Sequence, residues 1–300
     1  MIYTVTLNPA IDYNMTFRQI KVGEVNRSSG EYIRFGGKGI NVSAVLAQLG
    51  VRSTALGFIA GATGVELENG VRQMGVDCDF VKLTHGMTRI NVKLHSDRET
   101  ELNATGPDID ESALNELLGK TDKLRDGDTV VLAGSVPGSL PRDIYERIAK
   151  RLSDRDIRLA VDAEKELLAA VLPYSPFVVK PNIYELSDIF GKKLSDIAEV
   201  SECAAELHKM GAKNVLVSMG SDGALLLDEN GNKHFRAAFT GTAVNTVGAG
   251  DSMLAGFLAG VEKGYDHALL LGTAAGGATA FSEGLADKNA IMELVNSCVK

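Results

Sequence analysis

The 300-residue sequence has few cysteines and no long apolar run, and both deficits narrow the possible functions. Cys78, Cys203 and Cys298 are far apart, and no two of them have the spacing of a metal site or a redox motif. Such sparse thiols are typical of a reducing compartment. Residues 1–7 lack the basic start and the apolar stretch of a signal peptide, and the apolar segment 268–281 is too short and too rich in glycine to span a bilayer. We therefore expect a cytoplasmic protein without a membrane partner.

Positive charge is scarce as well. The sequence carries 31 lysine and arginine residues against 39 aspartate and glutamate residues, which gives a formal net charge of −8 and a pI near 5.3. Nucleic-acid binding usually requires a basic face, so this balance argues against a nucleic-acid partner. An acidic protein that binds anionic metabolites must concentrate its lysine and arginine locally.

The two commonest nucleotide-binding motifs are missing. Gly119-Lys120-Thr121 matches the end of a P-loop, but Leu114 stands where that motif requires a glycine. After Gly248-Ala249-Gly250, Met253 occupies the position of the third glycine of a dinucleotide fingerprint. A dinucleotide-dependent dehydrogenase is therefore disfavoured, and a nucleotide would need another scaffold.

Apolar β-branched segments alternate with helical patterns along most of the chain. Strands are predicted at 2–7, 54–59, 129–133, 158–161, 177–179 and 214–218, with helices at 142–152, 183–190 and 201–210. This alternation predicts a mostly parallel sheet covered by helices on both faces. Two segments, at about 12–35 and 88–103, are predicted as strands without intervening helices and form a small β lid. Since no linker or repeat interrupts the pattern, we expect one domain over residues 1–300.

Three glycine-rich turns are candidates for phosphate binding: residues 36–41, 218–224 and 246–252. In the third turn, Asp251 follows two glycines and begins a helix, whose dipole favours an ionised carboxylate. We expect the amides of Gly248, Ala249 and Gly250 to hold a transferring phosphoryl group, while Asp251 accepts a proton from the attacking alcohol. The alternative is purely structural, because aspartate is also a common residue at a helix start.

Three segments, in order along the chain, resemble the signatures of the ribokinase-like (PfkB) family of carbohydrate kinases. They are Gly36-Gly37-Lys38-Gly39-Ile40-Asn41-Val42, Asn182-Ile183-Tyr184-Glu185 and Thr246-Val247-Gly248-Ala249-Gly250-Asp251-Ser252. The resemblance covers essentially the whole chain. It implies a Rossmann-type three-layer α/β sandwich with a β lid, and a kinase that uses ATP and Mg²⁺.

The resemblance also implies roles for individual residues. It assigns sugar contacts to Asp12, Gly36, Gly37, Lys38 and Asn41. It assigns nucleotide contacts to Lys180, Asn182, Ser218, Met219, Gly220, Ser221, Asp222, Gly223, Gly250, Ala275 and Ala278. Glu185 belongs to the family's Mg²⁺ and phosphate network, and we expect it to reach the metal through water, because Mg²⁺ retains several waters.

A local basic cluster is predicted on the lid. In a strand at 88–94, Arg89, Asn91 and Lys93 share one face, which offers two cations and an amide to a phosphate group. Arg27 of the earlier lid segment is expected to join them, and Ser135 lies where relatives contact a substrate phosphate. A solvated strand face is the alternative.

Within the family, segments 7–12 and 88–94 are most similar to bacterial kinases of fructose 1-phosphate and next to kinases of tagatose 6-phosphate. The resemblance thus implies phosphorylation of fructose 1-phosphate at O6, which yields fructose 1,6-bisphosphate and ADP. Fructose 6-phosphate is a further alternative substrate, and a catalytically silent sugar-phosphate-binding regulator is an alternative of another class. A homodimer through the lid is also expected, since relatives use these strands as an interface.

Overall fold

A large twisted sheet forms the middle layer of the computed structural model, which describes residues 1–298. Within these residues the sheet has ten strands: β1 (Ile2–Thr6), β4 (Ser53–Ala60), β5 (Asp77–Cys78), β6 (Val81–Leu83), β9 (Thr129–Ala133), β10 (Arg158–Asp162), β11 (Val178–Val179), β12 (Asn214–Ser218), β13 (Ala224–Leu227) and β14 (Lys233–Arg236). The spatial order is β14-β13-β12-β11-β10-β9-β1-β4-β5, and β6 pairs with β4. Every pairing is parallel except β12–β13 and β13–β14, which form an antiparallel edge.

Helices cover both faces of this sheet. In the described part of the chain they are α1 (Lys38–Gln48), α2 (Gly61–Gln73), α3 (Glu111–Asp122), α4 (Ile144–Leu152), α5 (Lys165–Val171), α6 (Ile183–Phe190), α7 (Ile197–Lys209), α8 (Ala249–Gly260), α9 (Tyr265–Ala280) and α10 (Lys288–Ser297). Helices α3 to α7 bury their apolar faces in one core, while α1, α8, α9 and α10 pack in a second core on the opposite face. Successive side chains along β9 alternate between the two cores: Val130 and Leu132 lie in the first core, and Val131 and Ala133 lie in the second. The predicted three-layer α/β sandwich is therefore confirmed.

A second, four-stranded sheet forms the lid, and we call it the lid sheet. Its strands are β2 (Ala10–Thr16), β3 (Gly30–Gly36), β7 (Arg89–His95) and β8 (Thr100–Leu102), in the order β3-β2-β7-β8. The base of this sheet packs on the body through Ile11 and the ring of Phe35. Gly70 of α2 makes room for that ring, because a Cβ at this position would lie 2.1 Å from it.

The carboxyl ends of β1, β9, β10 and β11 meet at one edge of the main sheet. These four strands are neighbours and run parallel. In open α/β sheets ligands bind at this edge, so the residues that follow these strands are the first candidates for a site. Among the helices of residues 1–298, none is long and apolar enough to cross a membrane.

Candidate active site

The turn before α8 provides free backbone donors. Gly248 has a φ of +82°, a conformation that favours glycine, and α8 begins at Ala249. The Ala249 amide donates to the Thr246 carbonyl at 3.2 Å, so it is the one predicted donor that is already engaged. The amides of Gly248 and Gly250 have no protein acceptor within residues 1–298. Two of the three predicted amides are thus available to an anion at the positive end of the helix dipole.

Asp251 lies directly behind this turn and is only 5% exposed. Its Oδ2 accepts a hydrogen bond of 2.8 Å from Nδ2 of Asn41, which belongs to α1. Burial and the nearby charge of Asp162 raise the pKa of Asp251 to about 6. The helix dipole was expected to favour the ionised form of Asp251, and burial opposes that effect. A base with this pKa is mostly ionised at neutral pH and is still able to hold a proton.

Asp162, at the end of β10, was not predicted from the sequence. Its side chain is 1% exposed, and its two oxygens face Lys38 Nζ and Lys180 Nζ, each at 3.0 Å. Although burial opposes the shift, these two cations hold the pKa of Asp162 below its usual range. Burial also opposes the shift at Lys38, yet the charges of Asp162 and Asp251 raise the pKa of Lys38 to about 12. Lys38 is therefore charged at neutral pH.

The two lysines lie beside the glycine turns. Lys180 Nζ is 3.1 Å from the position that a Cβ on residue 250 would take. The Lys38 Cβ lies 3.8 Å from the corresponding point on Gly134, the residue that follows β9. Ser135, the predicted phosphate contact, comes next and is exposed. The structure thus brings the first and third glycine-rich turns together around a pair of cations.

The predicted sugar contacts gather next to Asp251. A Cβ on Gly36 would lie 3.5 Å from Asp12 Oδ2 and 3.6 Å from Asn41 Oδ1, so these side chains flank an open glycine. Asp12 Oδ1 also accepts from Asn91 Nδ2 at 2.9 Å. Asn41 therefore connects the group of polar side chains around Gly36 to the buried base.

Close backbone approach explains the glycines that begin α1. A Cβ on Gly37 would lie 2.5 Å from Thr6 Cγ2, and one on Gly39 would lie 2.6 Å from Thr6 Oγ1. The Thr6 hydroxyl accepts from the Ile40 amide at 3.2 Å. The turn therefore packs directly on the end of β1, which fixes the position of Lys38.

A cleft of about 920 Å³ lies between the lid sheet and the body. Its walls include the polar side chains of Asp12, Asn14, Arg34, Asn41, Lys93 and Asn245. Across the cleft, Arg34 of β3 donates to the main-chain carbonyl of Glu283, which also accepts from Asn245 Nδ2 at 2.9 Å. The lid sheet is thus tied to the loop between α9 and α10 and, through Asn245, to the segment that leads into α8.

The three residues of the predicted basic cluster lie in different surroundings. Lys93 lines the cleft and pairs with Glu101 at 2.9 Å. Arg89 donates from Nε to the Asn8 carbonyl at 3.1 Å and from Nη1 to the Ala104 carbonyl at 3.5 Å. Arg27 is exposed in the loop between β2 and β3. Phosphate binding by these three side chains stays a prediction.

The predicted nucleotide segments adjoin one another. Ser218 ends β12, and its amide donates to the Pro181 carbonyl at 3.2 Å, which places the Ser218–Gly223 turn beside Asn182. Gly220, Ser221 and Asp222 of that turn are exposed, whereas Met219 is buried. Ala275 and Ala278 of α9 are buried in the core, so their contact with a nucleotide stays a prediction.

Asn182 and Glu185 form a helix cap. Asn182 Oδ1 accepts from the amides of Tyr184 and Glu185, both at 2.9 Å, and Glu185 Oε2 accepts from the Asn182 amide at 2.8 Å. This reciprocal capping box begins α6 and uses one carboxylate oxygen of Glu185. Within residues 1–298, no three histidine, cysteine, aspartate or glutamate side chains gather into a metal site. At this point the chain thus offers a divalent cation the carboxylate of Glu185, one oxygen of which already takes part in the helix cap.

A glycine turn with two free amides, two ammonium groups and a buried carboxylate lie together at the carboxyl edge of a parallel sheet. Phosphoryl transfer requires donors and positive charge for the phosphoryl group and a base for the attacking alcohol, and this arrangement is able to supply them. The fold and this site are those of an α/β phosphotransferase. A model of the pfkB family carbohydrate kinases matches residues 5–291. The chain belongs to this family, and the resemblance described from the sequence is confirmed. Membership of a kinase family implies ATP as the phosphate donor.

Curated relatives and solved structures agree with this assignment. The chain is 43% identical over 297 residues to the 1-phosphofructokinase of Bacillus subtilis, an alignment that covers 98% of this chain and 97% of the relative. It is 38% identical to the D-tagatose-1-phosphate kinase of Bacillus licheniformis over 96% of this chain and 95% of the relative. The solved structure of Escherichia coli phosphofructokinase-2 in complex with substrates and products has a TM-score of 0.93 at 28% identity, covering 100% of this chain and 99% of that one.

Proposed function

We propose that this protein is an ATP-dependent kinase of a ketohexose 1-phosphate and that its main substrate is fructose 1-phosphate, phosphorylated at O6. One observation carries the proposal: Asn41, among the predicted sugar contacts, donates to the buried carboxylate of Asp251 at the start of α8. This contact joins a polar sugar site to a base and an anion-binding turn. The products are fructose 1,6-bisphosphate and ADP.

The chemistry follows from the roles of the chain's own residues. Asp12, Asn41 and Asn91 hold the sugar by hydrogen bonds to its hydroxyls. Asp251 accepts the proton of the 6-hydroxyl as that oxygen attacks the terminal phosphorus of ATP and the bond to the leaving ADP oxygen breaks. The free amides of Gly248 and Gly250 and the ammonium of Lys180 stabilise the charge on the transferred group.

The remaining predicted contacts complete this proposal. Sugar-phosphate binding is assigned to Arg89, Lys93, Arg27 and Ser135, with Gly36, Gly37 and Lys38 beside the sugar. Nucleotide binding is assigned to Lys180, Asn182 and the 218–223 turn, with Ala275 and Ala278 behind it. Glu185 would hold Mg²⁺ through water with the carboxylate oxygen that the helix cap leaves free, and the ion would supply positive charge to the ATP phosphates.

The identity of the sugar rests on the relatives. Both bacillary relatives are named for ketohexose 1-phosphates. Tagatose 1-phosphate is therefore the first alternative substrate, in place of the tagatose 6-phosphate expected from the sequence segments. The two 1-phosphates share the end of the molecule that would face the basic lid residues.

A substrate panel tests the proposal. We expect the highest kcat/KM for fructose 1-phosphate when ADP release is measured with fructose 1-phosphate, tagatose 1-phosphate, tagatose 6-phosphate and fructose 6-phosphate. The Asp251→Asn variant should lose roughly a hundredfold or more in kcat, as is typical of a removed general base, and keep its ATP affinity. ADP release with none of the four sugars would indicate a regulator, and near-normal turnover by the variant would remove Asp251 from its role.

Arg89 provides the test of phosphate recognition. The Arg89→Ala variant should raise the KM for the sugar phosphate roughly ten- to a hundredfold, the usual effect of losing a charged hydrogen bond, with little change in the KM for ATP. Arg98→Ala is the matched control, because Arg98 is an exposed lid arginine with no proposed role. Equal sugar KM values for the two variants would refute the assignment.

We also propose that the whole chain is one cytoplasmic kinase domain that dimerises through its lid sheet. Large apolar side chains exposed on that sheet support the interface: Tyr32 is 42%, Ile33 is 52% and Leu102 is 56% exposed. Free Cys78, Cys203 and Cys298 support a reducing compartment. A monomeric mass in sedimentation equilibrium would refute the dimer, and recovery of the protein outside the cytosolic fraction would refute the location.

A further inference from the structure

Asp162 is the most buried charged group of the site, and the proposed chemistry gives it no step. Its side chain is 1% exposed, and it follows directly on the apolar residues of β10. A lone carboxylate is costly at such a position unless cations compensate it. Its presence beside the proposed base therefore requires a functional or structural reason.

The contacts of Asp162 connect two distant segments of the chain. Lys38 comes from the start of α1, 124 residues away in sequence, and its Nζ lies 3.0 Å from Oδ1. Lys180 follows β11, is 4% exposed, and its Nζ lies 3.0 Å from Oδ2. One carboxylate thus fixes both ammonium groups, although Lys38 is 37% exposed and is otherwise free to move.

The two lysines lie beside the turns that would hold the phosphoryl group. Lys180 Nζ adjoins the Cβ position of residue 250, and the Cβ of Lys38 lies 3.8 Å from the Cβ position of residue 134. The charged groups around Asp251 are Asp162, Lys38 and Lys180, with Glu185 close enough to act on Lys38, and Asn41 is the hydrogen-bond donor. Asp162 with its two lysines carries a net charge of about +1, which suits an anionic phosphoryl group better than a neutral site does.

We propose that Asp162 is a positioning residue, which holds Lys38 and Lys180 as a fixed pair of cations on either side of the phosphoryl group in transit. This inference rests on the proposed kinase function and deepens it. Because Asp162 is compensated by two cations, it is a poor ligand for Mg²⁺ and acts through the lysines rather than through the metal. Its negative charge also favours protonation of Asp251, so the same residue tunes the base.

Two variants and one control separate this role from a structural one. Asp162→Asn removes the charge, and Asp162→Glu keeps the charge but moves it by one methylene group. Asp228→Asn is the matched control, because Asp228 is also a 2% exposed aspartate paired with a basic side chain, His234, and it belongs to the β13–β14 hairpin. The measurements are kcat against pH at saturating fructose 1-phosphate and ATP, the Mg²⁺ concentration for half-maximal rate, and the folded fraction by circular dichroism.

Both Asp162 variants should lose on the order of a hundredfold in kcat, as expected when reacting groups are misplaced by about 1 Å. The acidic limb of the kcat profile should move to lower pH in Asp162→Asn and stay in place in Asp162→Glu, since only the first variant loses the charge. The Mg²⁺ requirement should not change, and Asp228→Asn should keep its kcat and its pH profile. If Asp162→Asn does not fold, Asp162→Glu alone decides.

Three results would overturn the proposal. The first is a kcat of Asp162→Glu within about twofold of the parent, since misplaced groups cost far more. The others are an acidic limb that does not move in folded Asp162→Asn and a selective rise in the Mg²⁺ requirement. Calorimetric titration with ATP in the absence of sugar keeps this test independent of the substrate. If the parent protein binds ATP but phosphorylates no sugar in the panel, the proposed function fails. Weaker ATP binding by both Asp162 variants, with normal binding by Asp228→Asn, would still support the positioning role.

Discussion

The elevated pKa of Asp251 predicts an acidic limb in the rate profile. Asp251 must be ionised to accept a proton, and burial together with Asp162 raises its pKa to about 6 from an ordinary 3.8. A base of this kind loses its function as the pH falls through its pKa. The perturbation is therefore a change of pH between 8 and 5, applied to the unaltered protein.

The expected magnitude follows from the ionised fraction. With a pKa of about 6, only about a tenth of Asp251 is ionised at pH 5, so kcat/KM, which reports the free enzyme, should fall about tenfold between pH 7.5 and pH 5. With the ordinary pKa, kcat/KM would lose less than about a tenth over the same range. The two cases differ by far more than the error of a rate measurement.

The assay must separate Asp251 from the substrates, because phosphate groups also titrate near pH 6. We would measure kcat/KM, which reports the free enzyme to which this pKa belongs, and correct it for the separately measured titration of the substrate phosphates. An Asn41→Ala variant gives an internal check. The Asn41 hydrogen bond lowers the pKa of Asp251, so its loss should move the acidic limb to higher pH. A flat kcat/KM profile down to pH 5, or a limb that does not respond to Asn41→Ala, would refute the reasoning.

Two further predictions concern the turns around the site. Gly248→Ala places a Cβ 2.6 Å from Leu285 Cδ2 at a φ of +82° and should cost about 1–3 kcal/mol of stability in chemical denaturation, with a loss of kcat. Gly119→Ala, in open space on α3, should instead stabilise by up to about 1 kcal/mol, and a similar gain in the Gly248 variant would contradict the strain. Asn182→Ala should lose about 1 kcal/mol from the cap of α6 and raise the KM for ATP, whereas Asp110→Ala at the cap of α3 should lose only stability. Equal KM values in these two variants would remove Asn182 from the nucleotide site.

Local sequence patterns correctly predicted several strands and helices of the main sheet and its layers. Strands β9 and β12 and helix α6 have the predicted bounds, because each combines a strong apolar pattern with a clear stop. Strand β13, second from the edge of the sheet, was not predicted, because its apolar run follows directly on the 218–223 turn and is too short to signal a strand by itself. Its pairing with β12 is a long-range feature that a local pattern does not contain.

The site shows the same division between local and long-range information. The turn at Gly248–Asp251 and the sugar contacts around Gly36 were predicted because each is a contiguous motif. Asp162 was not, because a single aspartate at a strand end has no motif, and its partners become neighbours only through the order of β10, β11 and β1. The direction of the Asp251 pKa shift was missed for a related reason, since burial depends on packing by several elements.

The hydrogen bond between Arg34 and residue 283 depends on the side chain of only one of the two residues, which affects how the sequence is able to change during evolution. Its acceptor is a main-chain carbonyl, so no substitution at position 283 removes the oxygen, and the side chain there is free to vary. Only the arginine half of the bond is open to loss by mutation. Related chains are therefore able to diverge along the 281–287 loop and still keep their lids attached, provided that the length of that loop is preserved.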